Sequence, residues 1–126
     1  MKGNKDKNTR ETGAIAEQVA KAYLEKKGYR IITTNWYYCH LELDIIAHDG
    51  DELVIVEVKS RYGEGFDHPT EAISRKKMRQ VIEAAEAYIN ETCWGKDTRF
   101  DLITIVFTGP ENYELEHFED AFNAEA

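Results

Sequence analysis

Apolar residues recur at helical spacing over residues 13–27, where Ala16, Val19, Ala20, Tyr23 and Leu24 fall on one stripe. Thr12 suits the cap of this helix. Gly28 suits the left-handed stop beyond it, with Tyr29 folding back. Residues 29–38 read as a strand, and Ile31 and Ile32 point to opposite faces, so part of it is covered on both sides. The stretch 42–59, ELDIIAHDGDELVIVEVK, reads as two strands joined at Asp49-Gly50, a pair that a type I′ turn favours. In the first arm Leu43, Ile45 and Ala47 are expected on one face, and Glu42, Asp44 and Ile46 on the other. In the second arm Val54, Val56 and Val58 oppose Leu53, Ile55, Glu57 and Lys59. Residues 60–70 carry glycines and Pro69 and are expected to be loop. A second helix is expected over 74–91, with Met78, Val81, Ile82, Ala85, Tyr88 and Ile89 as its stripe. A strand follows over 99–107, and a short acidic edge strand over 113–118. The order α-β-β-β-α-β, with an optional final strand, predicts an α/β fold with a mixed central sheet of four to five strands flanked by helices. One domain spans residues 1–126, with a mobile segment 1–11 and an acidic tail 111–126.

Charges interrupt this pattern where strands normally carry apolar groups. Glu57 and Lys59 stand side by side at the end of an apolar strand, and simple hairpin register puts Asp44 one strand away from Glu57. Burying charge is costly, so the cluster needs a reason. Two carboxylates facing a gap suit a hard divalent cation such as Mg2+, and a neighbouring lysine can steer a water for in-line attack on a phosphodiester. The plainer alternative is a half-solvated salt bridge at a strand end. Glu17 lies beside the stripe of the first helix and either points to water, the usual case, or leans over the sheet as a third carboxylate. Trp36, Tyr37 and Tyr38 either close the core, the commoner use, or offer bases a stacking surface.

Composition narrows the picture. The two cysteines, Cys39 and Cys93, have no disulfide or zinc spacing and fit a reducing, cytoplasmic compartment. The basic start MKGNKDKNTR lacks a following apolar core, so no secretory signal is expected, and no apolar run reaches membrane-spanning length. The histidines lack ligand spacing, and no P-loop, GxGxxG or HExxH is present. The net charge of −8 at first opposes a nucleic-acid partner, but its distribution matters more than its sum. Residues 111–126 carry six acids and no Lys or Arg, while the basic residues collect in 1–30 and 57–80, with Arg61 in the loop beside the proposed site and Arg75, Lys76, Lys77 and Arg79 in the first turns of the second helix. Cations at a helix start oppose the backbone dipole, so contact with phosphate would explain them; a solvated basic turn is the alternative.

In this order and spacing the chain resembles the YraN-like family of bacterial proteins, which has the restriction-endonuclease-like fold. The resemblance runs from Gly13 to Phe107. It rests on Gly13 and Glu17, YLEKKGYRII, Asn35-Trp36, Glu42-Leu43-Asp44-Ile45-Ile46-Ala47, Val56-Glu57-Val58-Lys59 with Arg61, Lys77 with AAEAYI, and Arg99-Phe100-Asp101. The PD-(D/E)xK pattern of that fold maps onto Asp44, Glu57 and Lys59. Glu17 is similar to the extra helix glutamate of archaeal Holliday junction resolvases. The resemblance implies Mg2+ or Mn2+ held by Asp44, Glu57, the Val58 carbonyl and Glu17, with Lys59 positioning the attacking water. It implies phosphate contacts from Arg61, Lys77, Arg75 and Lys76, and a DNA substrate, branched or otherwise structured, with RNA as a further option. It also allows a homodimer. The chain departs from the family at Leu41, where a glycine is usual, which bears on substrate geometry. The same fold also allows a catalytically silent nucleic-acid-binding module, or a partner-binding protein whose acidic tail docks on a basic partner or shields the groove.

Overall fold

The computed structural model describes residues 2–123, with the side chains of 11–69 and 71–123. The order is α1 (Lys2–Lys27), β1 (Arg30–Tyr38), β2 (Leu41–Asp49), β3 (Glu52–Tyr62), α2 (Pro69–Ala72), α3 (Arg75–Thr92), β4 (Thr98–Phe107) and β5 (Tyr113–Phe122). The strands form one mixed sheet in the order β1-β2-β3-β4-β5. Only β3 and β4 are parallel, and α3 makes the crossover that parallel pairing requires. Ala16, Ala20 and Leu24 of α1 pack with Ile45, Val54, Val56 and Ile103, while Val81, Ala84 and Ala85 of α3 pack with Leu43, Ile46, Leu53 and Ile55. Each helix therefore covers one face of the sheet. Among the described residues no helix is long and apolar enough to cross a membrane.

Local signals account for most boundaries. Gly28 has φ +102 and ends α1, and Tyr29 folds back with its N–H on the Leu24 carbonyl at 2.9 Å. Ser74 caps α3 by accepting the Lys77 N–H at 3.1 Å, and Cys93 closes it in the left-handed region. Four expectations are corrected. The first helix begins at Lys2, not Gly13, so Thr12 lies inside it and is not its cap. The expected loop over 60–70 is partly structured: β3 continues to Tyr62, placing Arg61 on a strand, and α2 follows. The acidic edge strand expected over 113–118 is present but longer, Tyr113–Phe122 on β4 with Phe122 buried, so the acidic tail expected over 111–126 is for the most part a strand. Residues 124–126 lie outside the described residues.

The fourth correction concerns β2. Leu43 packs with Ile46 beneath α3, whereas Ile45 and Ala47 pack beneath α1. The alternation therefore changes phase at Asp44. The β1–β2 register explains it: Trp36 pairs with Leu43 and Thr34 with Ile45, leaving Asn35 opposite Asp44. Asn35 has φ +50, a left-handed conformation that asparagine tolerates better than most residues. The regular pleat is broken here, and the β1–β2 register shifts again between Ile31 and Thr33.

Candidate metal and nucleic-acid site

The β2–β3 ladder pairs Asp49 with Glu52 and continues to Ile45 with Val56, which carries Asp44 opposite Glu57. There the Asp44 carboxylate stands in for a strand carbonyl: its Oδ2 accepts the Val58 N–H at 2.9 Å. Glu57 is only 1% exposed, and its Oε1 is buried without a hydrogen-bond partner. Burial raises the Glu57 pKa well above the usual carboxylate range, and the charge of Asp44 adds to the effect. Burial also raises the Asp44 pKa, against the opposing pull of the Val58 N–H and of Glu57. Of the lysines, Lys77 in the first turn of α3 exerts the strongest favourable pull on both carboxylates.

A second pair of carboxylates stands at the rim. Asn35 Nδ2 donates to Glu17 Oε1 at 2.6 Å and to Glu42 Oε2 at 3.2 Å. The same irregular residue that breaks the pleat thus ties α1 to β2. Glu17 is half-buried and leans onto β1 through Asn35; burial raises its pKa, Asn35 opposes this, and the charges of Asp44 and Glu42 add to it. A cleft of about 280 Å3, lined by Ala14, Glu17, Gln18, Lys21, Thr34 and Asn35, opens beside this pair. Glu42 and Asn35 were not assigned roles from sequence; the signal was Glu42 two residues before Asp44 in the same polar set.

The basic residues are less uniform than the sequence suggests. Lys59 is half-buried, and its side chain makes no hydrogen bond or ion pair among the described residues. Arg75, Lys76 and Arg79 are exposed around the start of α3, and Lys77 is half-buried. Arg61 is engaged: it pairs with Glu71 at 3.3 Å, reaches the Gly65 carbonyl at 3.4 Å and stacks over the Phe66 ring at 4.1 Å. It pins the 63–68 segment to α2. Of the aromatic run, Trp36 packs edge-on against Tyr88 in the core, whereas Tyr37 is 62% exposed.

A separate charged cluster lies between β4 and β5. Arg99 forks onto Asp101 at 2.8 and 3.0 Å, and reaches Asp49, Glu52, Tyr29 and Glu119. His117 Nε2 lies 2.7 Å from Asp101, and the Asp120 N–H donates to Asp101 at 3.0 Å. Asp101, His117 and Glu119 are close enough together to suggest a cation site. The Arg99 guanidinium already supplies the positive charge there and occupies the Asp101 oxygens, so the cluster is a structural lock holding β5 to the sheet.

The orphan oxygen of Glu57 and the adjacent Asp44 carboxylate, on the inner strands β3 and β2, could hold a hard cation, with Glu17 and Glu42 at the rim, although among the described residues it is Asp101, His117 and Glu119 whose donor atoms all lie within 4.8 Å of one another. The chain belongs to Uncharacterised protein family UPF0102, whose profile matches residues 16–105. Its relatives include UPF0102 proteins of Parabacteroides distasonis (41% identical, covering 89% of this chain and 92% of the relative), Nitratidesulfovibrio vulgaris (42%, covering 89% and 84%) and Chlorobium phaeobacteroides (39%, covering 90% and 94%).

Proposed function

We propose that this protein is a divalent-metal-dependent endonuclease of the restriction-endonuclease-like fold, acting on DNA with branched or otherwise structured regions. The observation that carries the reading is Glu57 Oε1, a carboxylate oxygen buried without a partner beside a second carboxylate. Such an atom is costly unless something binds it. In this reading Asp44 and Glu57, with the Val58 carbonyl and Glu17, would hold Mg2+ or Mn2+, which would supply Lewis-acid polarisation and an acidified water.

The chain's own residues divide the remaining work. Lys59, whose side chain has no partner among the described residues, holds the attacking water and offsets charge on the phosphorane-like transition state. Lys77 favours the ionised form of both buried carboxylates, which keeps their oxygens available. The start of α3 binds phosphate through its free N–H groups together with Arg75, Lys76 and Lys77. Arg61 joins them by exchanging its half-exposed pair with Glu71 for a phosphate, a small loss for a surface ion pair. The test is cleavage of junction, nicked and linear DNA, with RNA alongside, by metal-clean protein given Mg2+ or Mn2+. Asp44→Asn and Glu57→Gln should abolish product, and Lys59→Ala should slow cleavage roughly a hundredfold or more. Cleavage unchanged by these substitutions would overturn the assignment. Binding without product over long incubation would point to a catalytically silent module.

A further inference from the structure

Tyr37 is the exposed aromatic residue nearest the carboxylates, and the proposed reaction leaves it without a task. It lies on β1, an edge strand, directly opposite Glu42 in the register. Glu42 is joined through Asn35 to Glu17, so the ring stands at the rim of the acidic cluster. The Glu42 carboxylate beside its hydroxyl raises the Tyr37 pKa. The register thus sets the ring beside Glu42 while most of it remains open to solvent, at 62% exposure. Its neighbour Trp36 shows the contrast, since that ring is spent on Tyr88.

Charge decides what such a ring can receive. With Glu17, Glu42 and Asp44 on this side, a phosphate placed over Tyr37 would be repelled. The cations that attract phosphate lie on the α3 side. A strand crossing the site with its backbone toward α3 turns its bases toward β1. Bases in an intact duplex are already stacked and paired, so only an unpaired or unstacked base can reach the ring. We propose that Tyr37 is a positioning residue that stacks an unpaired nucleobase beside the cleaved phosphodiester, so that the site prefers DNA with unpaired nucleotides over continuous duplex. This rests on the nuclease reading above.

The experiment uses the full chain and DNA carrying 2-aminopurine either in a bulge or within a paired duplex. Fluorescence is read in Ca2+ to follow binding, and cleavage is read in Mg2+. The wild type should quench the bulged probe and cleave it in preference to the duplex. Tyr37→Phe should keep both properties, because it keeps the ring. Tyr37→Ala should lose the quenching and lower the bulge-to-duplex cleavage ratio roughly tenfold, within the range for losing one base–aromatic stack. Tyr37 is exposed, so an unchanged melting temperature is expected and separates the effect from misfolding. An active wild type with a Tyr37→Ala variant that quenches and discriminates equally well overturns the Tyr37 assignment alone. A wild type that neither binds nor cleaves any of the DNAs overturns the nuclease reading, and this one with it.

Discussion

Glu57 sets the stability cost of the site. Its pKa is raised by burial and by Asp44, so the folded state holds a proton more tightly there than the unfolded chain does. The contribution is therefore fully favourable below the unfolded carboxylate pKa of about 4.3 and is lost as pH rises through the higher folded value. At neutral pH the carboxylate should weaken the metal-free fold. Glu57→Gln, which cannot ionise, should stabilise the metal-free protein at pH 7 and flatten its loss of stability toward neutral pH. The same variant should lose any gain in melting temperature on adding Mn2+. A Glu57→Gln protein less stable than wild type in EDTA would show that the carboxylate is satisfied in the fold. Asn35 offers a second test, because its backbone and its amide do different things. Asn35→Gly keeps φ +50 accessible and removes only the bridge between Glu17 and Glu42. Asn35→Ala loses both, and should be about 1 kcal/mol less stable than Asn35→Gly by chemical denaturation. Both should weaken the stabilisation by Mn2+.

Among the elements, α3 joins stability to the proposed phosphate contacts. Ser74→Ala removes the cap on the Lys77 N–H and should cost about 1 kcal/mol. It should also weaken DNA binding by loosening the turn that carries Arg75, Lys76 and Lys77. Lys77→Ala should reduce the slope of log affinity against log salt by about 1, the signature of one lost phosphate contact. The stripe of α3, the Asp-Gly turn and the charged end of β3 were legible in the sequence because each is a local signal. Periodicity identifies a helix face, a dipeptide sets a turn, and a charge in an apolar run announces itself. What was not legible depends on tertiary partners. The phase change at Asp44 comes from the conformation of Asn35 on the neighbouring strand, and alternation within β2 alone cannot reveal it. An acidic edge strand is legible over 113–118, but not its reach to Phe122, which depends on the ladder that β4 offers and on the bonds of His117 to Asp101 and of Arg99 to Glu119 across the two strands. Arg61 looked free because its partner Glu71 lies beyond an irregular segment.

The molecule as a whole carries two charged clusters whose stabilities depend on pH with opposite sign. At the β4–β5 lock, burial alone would raise the Asp101 pKa, but His117, Arg99 and the Asp120 N–H outweigh it and hold it below the usual range. Glu119 is also held down, chiefly by the Tyr29 hydroxyl, which donates to it at 2.7 Å. The lock is therefore fully effective above the unfolded carboxylate values of about 4 and fails as pH falls through the lower folded ones. At the Asp44–Glu57 site the favourable contribution is present below about 4 and fades as pH rises. For these two clusters together, the metal-free protein should be most stable in mildly acidic solution and weaken in both directions. A bound dication requires ionised carboxylates, so saturating Mg2+ should stabilise the neutral side and leave the acid limb unchanged. The check is melting temperature against pH for the wild type, Glu57→Gln and Asp101→Asn, each in EDTA and in Mg2+. Glu57→Gln should flatten the decline toward neutral pH and abolish the Mg2+ effect. Asp101→Asn should flatten the acid limb, lower stability at neutral pH and keep the Mg2+ effect. A Mg2+ effect that disappears in Asp101→Asn and survives in Glu57→Gln would move the cation to the β4–β5 cluster. The carboxylates of the sheet mouth would then have only a structural role.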